Sequence, residues 1–232
     1  SRMATQGLNT EREPAHDEVF EAQATEYRWV ANNVPALKPE PFITSLKNYL
    51  SSIEFELAMV KMPNSLPREV SDSWETINTK LLEDEDFGRM VKKGNFVSDK
   101  LPTILGKATT DLEKATAIFN HVQQSVKWNE NYGIYAKNVP RKVYEDRTGS
   151  VAEINLMLVA ILKEAGLNAD PVILSTRSHG MVMETNPMLA KFNYVIGMVQ
   201  IDTSKFLLDA TSRNVSFNTL PERCLNGDGR II

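Results

Sequence analysis

Ser150, His179 and Asp209 carry a hydroxyl, an imidazole and a carboxylate in nucleophile–base–acid order along the chain. A serine becomes an effective nucleophile when a neighbouring base takes its proton and a carboxylate orients that base. The surrounding residues argue against a triad of this kind. Ser150 and Glu153 have the spacing of a capping box, which commits the serine oxygen to a backbone N–H of the helix that follows. His179 lies in Ser178-His179-Gly180, a loop signal after a strand. Asp209 opens the turn after another strand, where aspartate commonly caps. Gly149-Ser150-Val151-Ala152-Glu153 reads as a tight turn into a helix N-terminus. Free N–H groups and the helix dipole stabilise an anion at such a place, which suits a nucleophile. Val151, the first residue inside the helix, has no lone pair to offer.

Arg177 and His179 follow a strand closely, and together they can hold a carboxylate such as a peptide terminus. The competing reading of these two is a surface loop without a ligand. Cys224 is the one cysteine, so no internal disulfide forms, and its presence does not fix a redox compartment. Arg223 is its neighbour in sequence, but adjacency alone does not create a reactive thiolate, and Cys224 reads as a small buried hydrophobe. His121 reads as a half-buried helix histidine. Three histidines, with no pair at helical spacing, and one cysteine do not support a zinc site. Glu83-Asp84-Glu85-Asp86 reads as a solvated helix end rather than a calcium site. Gly227-Asp228-Gly229 is a turn signal, and no Lys-Ser/Thr follows it to make a phosphate loop. No metal and no cofactor is expected.

The chain has 232 residues, enough for one large domain or for one domain and part of another. A formal net charge of −4 argues against a nucleic-acid partner, which favours a basic face. No run approaches the ~18 apolar residues of a membrane span. The N-terminus is polar without the apolar core of a signal peptide, and Ser1-Arg2-Met3 is the start expected of a trimmed fragment.

Residues 1 to about 26 read as extended or partly disordered. Residues 27–31 are rich in β-formers, and 53–57 alternate apolar and charged with period 2. Prolines from Pro35 to Pro67 punctuate this part as loops. Residues 1–68 are therefore expected to be the trailing edge of a β-rich domain, and 69–232 a second domain. Asp72 and Glu75 fit a capping box for a helix over 72 to about 92, with Trp74, Ile77, Leu81 and Leu82 on one face. Thr110 and Glu113 open a second helix with Ala115, Ile118, Phe119 and Val122 in its stripe. Residues 129–148 read as loop, and the helix opened by Ser150 is apolar nearly all round, so it belongs in the middle of the domain. Gly166 ends it. Residues 171–176, 192–201 and 205–209 read as strands. Helices followed by an antiparallel sheet on a central helix make an α+β layout.

Residues 149–162, then 166–172, 192–196 and 207–211, in this order and spacing, resemble the transglutaminase-like superfamily, a papain-like α+β fold. The preceding helix and Trp128 also suit it, and the resemblance covers roughly residues 70 to 232. It implies a multidomain bacterial protein with a β-sandwich before this core and a smaller β domain after it. It also implies a peptide or protein ligand and a periplasmic or cell-envelope setting. In active members a cysteine attacks an acyl carbon, a histidine holds its proton and an aspartate orients the imidazole. Carried over, the cysteine position is Val151, the histidine position is Tyr194 and the aspartate position is Asp209, which alone matches. Tyrosine, with an ordinary pKa of about 10, is a poor base near neutral pH. The expectation is a catalytically inactive domain retained as a peptide- or protein-binding or structural module. The alternative is an active hydrolase, amidase or transferase with a rearranged site of Ser150, His179 and Asp209.

Overall fold

The computed structural model describes residues 24–38, 40, 43, 45–51, 53, 55, 57–62, 65–69, 73–182 and 187–232. The helices are α1 (Trp74–Glu83), α2 (Leu101–Leu105), α3 (Asp111–Ser125), α4 (Pro140–Asp146) and α5 (Val151–Glu164). The strands are β1 (Met59–Val60), β2 (Arg68–Glu69), β3 (Lys127–Trp128), β4 (Thr148–Gly149), β5 (Asn168–Leu174), β6 (Tyr194–Ile201), β7 (Ser204–Leu208) and β8 (Arg230–Ile231).

Helix α5 is the centre of the fold. Every residue from Val151 to Leu162 is buried, as its all-round apolar sequence requires. Burying a leucine or isoleucine side chain fully contributes about 1.5–3 kcal/mol, so this helix anchors the core. Ser150 caps its start through a complete capping box with Glu153, and Gly166, at φ +79°, follows its end in the left-handed conformation. Behind α5 lies an antiparallel sheet in the order β7-β6-β5-β8. Close approach of helix and sheet depends on Gly197, where a Cβ would lie 3.3 Å from Val159 Cγ2. β3 and β4 pair in parallel and lead the chain into the N-terminus of α5.

Several elements differ from expectation. Helix α1 stops at Glu83 rather than near residue 92. Its end falls within the acidic run Glu83–Asp86, which opposes the helix dipole, and the Asp84 carboxylate accepts the Asp86 N–H at 2.8 Å in a competing turn. Its cap is Ser73, whose Oγ accepts the Thr76 N–H, while Asp72 lies outside the described residues. Residues 129–148 contain α4, which uses Pro140 in its first turn, where a missing N–H costs nothing. Residues 27–31 belong to no strand and are exposed. Ile53, Phe55 and Leu57 are likewise exposed and outside any strand, and Glu54 and Glu56, like residues 1–23, lie outside the described residues. Among the described residues no helix is long and apolar enough to cross a membrane.

Candidate functional site

Asp209 directly follows β7 and is completely buried. A carboxylate without water must be hydrogen-bonded and balanced by positive charge. Its Oδ1 accepts from Asn155 Nδ2 at 3.0 Å, from the Thr211 N–H at 3.0 Å and from Thr211 Oγ1 at 2.7 Å. Its Oδ2 accepts the Tyr194 hydroxyl proton at 2.8 Å and lies 3.5 Å from Arg223 Nη2. Arg223 closes the ring by donating from Nε to the Tyr194 oxygen at 3.0 Å and from Nη2 to Thr211 Oγ1 at 2.7 Å. Its guanidinium lies over the Trp128 ring, 4.7 Å from the centroid. Asn155, a polar residue on the apolar helix, ties α5 to this network. Its Nδ2 also donates to the Val195 carbonyl, and its Oδ1 accepts the Ala210 N–H.

Val151 packs against the same group from the helix side, in an apolar cluster with Tyr194, Leu174, Ile196 and Cys224. Burial first, then the charges of Asp209 and Cys224, push the Tyr194 phenol far above its ordinary value, against the lowering influence of Thr211 and Arg223. The phenol is therefore a proton holder and not a base at neutral pH. Cys224 Sγ lies 3.9 Å from Asp209 Oδ2. Burial and the Asp209 charge push this thiol up to about 12, so it is a thiol and not a thiolate.

The start of α5 is occupied by the protein itself. The Ser150 N–H donates to Glu153 Oε2 at 2.7 Å, the Val151 N–H to the Asn131 carbonyl at 3.1 Å and the Glu153 N–H to Ser150 Oγ at 3.3 Å. Glu153 Oε1 in turn accepts both the backbone N–H and the side-chain amide of Asn138, at 2.9 and 2.7 Å. An anion bound here would have to displace these bonds. Ser150 thus works as a cap: Ser150→Ala is expected to lower stability by about 1 kcal/mol in denaturant titration, the usual cost of a lost N-cap.

The structure brings Val151, Tyr194 and Asp209 together. No hydrogen bond joins Ser150 to His179: the exposed His179 has its Nε2 3.3 Å from the Ala190 carbonyl. Arg177 is engaged by Glu222 at 2.6 Å and by the Ile43 carbonyl at 3.3 Å. His121 Nε2 lies 2.9 Å from the Tyr144 hydroxyl, and burial lowers its pKa. Among the described residues no three His, Cys, Asp or Glu side chains are grouped to hold a metal. Arg223, Thr211 and Asn155 are the members that sequence reasoning missed. Asn155 left a usable signal, as a lone amide inside an otherwise apolar helical run.

The surface of the described residues carries hollows near the fold's core elements. One of about 280 Å³ opens beside Trp128 and Thr211 and is bounded by Lys127, Glu130 and Arg213. A larger one of about 590 Å³ lies between Trp74, Phe192 and β8, away from Asp209.

A buried helix packed on an antiparallel sheet is an α+β layout consistent with a transglutaminase-like core, and residues 99–202 match the family model of the Transglutaminase-like superfamily. The matched stretch includes Val151 and Tyr194 and ends before Asp209. Among solved structures, the chain is similar to a proposed protease from Parabacteroides distasonis, at 14% identity and a TM-score of 0.44, over 63% of this chain and 30% of that one. It is also similar to a proposed cysteine protease from Cytophaga hutchinsonii, at 11% identity and a TM-score of 0.41, over 62% of this chain and 48% of that one. The chain thus spans less than half the length of either. No curated protein matches it.

Proposed function

We propose that this is a catalytically inactive transglutaminase-like domain, serving as a peptide- or protein-binding or structural module within a multidomain bacterial protein. The observation that carries the reading is the group at Asp209. Val151 stands at the helix start where the resemblance requires a nucleophile. The residue facing the carboxylate is a phenol, bonded at once to Asp209 and Arg223. Neither side chain can attack an acyl carbon or relay a proton at neutral pH. The rearranged hydrolase gains no support, because Ser150 and His179 each bond elsewhere.

Residues 1–68 are proposed as the end of a preceding β domain. Tyr27, Trp29, Phe55 and Leu57 are all more than half exposed, and the Trp29 ring packs on Tyr27 and Phe55 at 5.8 and 5.2 Å. Apolar side chains clustered in this way favour a segment whose covering layer lies elsewhere. A cell-envelope setting extends the same resemblance and rests on analogy.

The expected result is no ammonia release, amine incorporation or peptide cleavage above buffer with glutamine-containing and general protein substrates. Turnover that survives clean purification and disappears in Asp209→Asn would overturn the reading.

A further inference from the structure

The hollow of about 590 Å³ is bounded by Trp74, Val182, Phe192, Ile231, Arg230 and Asp228. It is separated from Asp209 by the sheet. Arg230 stands opposite Ile173, whereas Tyr194 stands opposite Leu174. Successive strand residues face opposite sides. Ile173 belongs to the main core under α5, and Leu174 to the cluster of Val151 and Tyr194. Arg230 and Tyr194 therefore lie on opposite faces.

The walls are mostly apolar, with the Trp74 and Phe192 rings edge to face at 6.0 Å. Arg230 is the converging polar group. Its guanidinium lies 4.3 Å from the centre of the Trp74 ring, and its Nε donates to Asn78 Oδ1 at 3.0 Å. Among the described residues, its two terminal amines make no hydrogen bond or ion pair. A guanidinium held by one face and by Nε presents the remaining donors as a fixed fork, the geometry that suits a carboxylate. Glu75 is the nearby acid on α1, but its lowered pKa comes first from its own backbone and from Ser73, with Arg230 the weakest influence. Asp228 on the rim opposes phosphates and other polyanions more strongly than a singly charged carboxylate on an apolar body. Among the described residues β8 is the outer strand of the sheet and pairs with β5. An extended chain can lie along such an edge through main-chain hydrogen bonds.

We propose that this hollow captures the C-terminal residue of an extended peptide, with an apolar side chain against Trp74 and Phe192 and the carboxylate on Arg230. The proposal goes beyond the inactive-domain reading and is independent of it, since the two sites share no residue and face opposite ways.

The test titrates the chain with acetyl-Ala-Ala-Leu, bearing a free carboxylate, and with the same peptide amidated. The Trp74 indole N–H is followed by NMR, its signal assigned by its loss in Trp74→Phe. The acid is expected to shift that signal and to bind at least about tenfold tighter than the amide, the effect of a charge-assisted fork. Arg230→Gln should bring the acid down to the level of the amide. Equal binding of the two peptides, shifts confined to Trp128, or no shift at millimolar peptide would overturn the proposal. The comparison of acid with amide uses the unaltered chain, so a misfolded variant does not blunt it.

Discussion

Arg223→Met is expected to lower the stability of the domain by about 3 kcal/mol, the cost of stripping a buried charge of its partner. Asp209 is wholly enclosed, and Arg223 is the cation within reach of its Oδ2. Without Arg223 the carboxylate retains Tyr194, Asn155 and Thr211 as donors but no positive charge. The Arg223 side chain is a quarter exposed, so water softens the loss and holds it at the low end of the range for such pairs. Arg223→Lys should recover only part of it, because an ammonium cannot bond the Tyr194 and Thr211 oxygens through a rigid fork while stacking on Trp128. Tyr194→Phe should cost about 1–3 kcal/mol, since it takes the short hydroxyl bond from Asp209 Oδ2 and leaves Arg223 Nε without its acceptor. The two effects should also be non-additive, as befits members of one network. Denaturant titration of the single and double variants measures this. A loss below 1 kcal/mol for Arg223→Met would mean that solvent, and not Arg223, balances Asp209.

Where the chain can be read locally, it was legible. Helix α5 carries an unbroken apolar run between a capping box and a glycine, so its existence, its burial and its place behind a sheet follow from pattern alone. The joining of Val151, Tyr194 and Asp209 came from a resemblance in order and spacing, not from side-chain chemistry. Arg223 could not be found either way. It reaches the network because the segment around it is pinned to the loop after β5: the Arg177 N–H bonds the Arg223 carbonyl, and the Asn226 amide bonds the carbonyls of Ser175, Thr176 and Gly180. These contacts span about fifty residues, and no local period encodes them. The Arg177 guanidinium joins the same junction through Glu222, a contact across 45 residues that local pattern does not show either. Helix α4 was hidden by the opposite fault, a local rule read too simply, because a proline in a first turn looks like a break.

Cys224 supplies the second large effect, in reactivity. Its thiol, raised to about 12 by burial and by Asp209, should alkylate in the folded chain more slowly than in the unfolded one by on the order of a thousandfold at pH 8. The comparison is the rate of iodoacetamide labelling in buffer against the rate in concentrated urea. The same shift carries a pH dependence. In the unfolded chain the thiol loses its proton above about 8.5 and the tyrosine above about 10, whereas the folded chain keeps both protons bound well beyond those values. The unfolded state then binds fewer protons, so stability is full below pH ~8 and falls as pH rises toward 12. Labelling within tenfold of the unfolded rate would identify a thiolate beside Asp209 and make Cys224 a nucleophile placed where Val151 is not. Slow labelling together with alkaline destabilisation would mean that the phenol and the thiol both keep their protons beside the buried Asp209. In that state, losing Arg223 should slow labelling further while the chain stays folded, because the guanidinium lowers the thiol's pKa and its removal raises it.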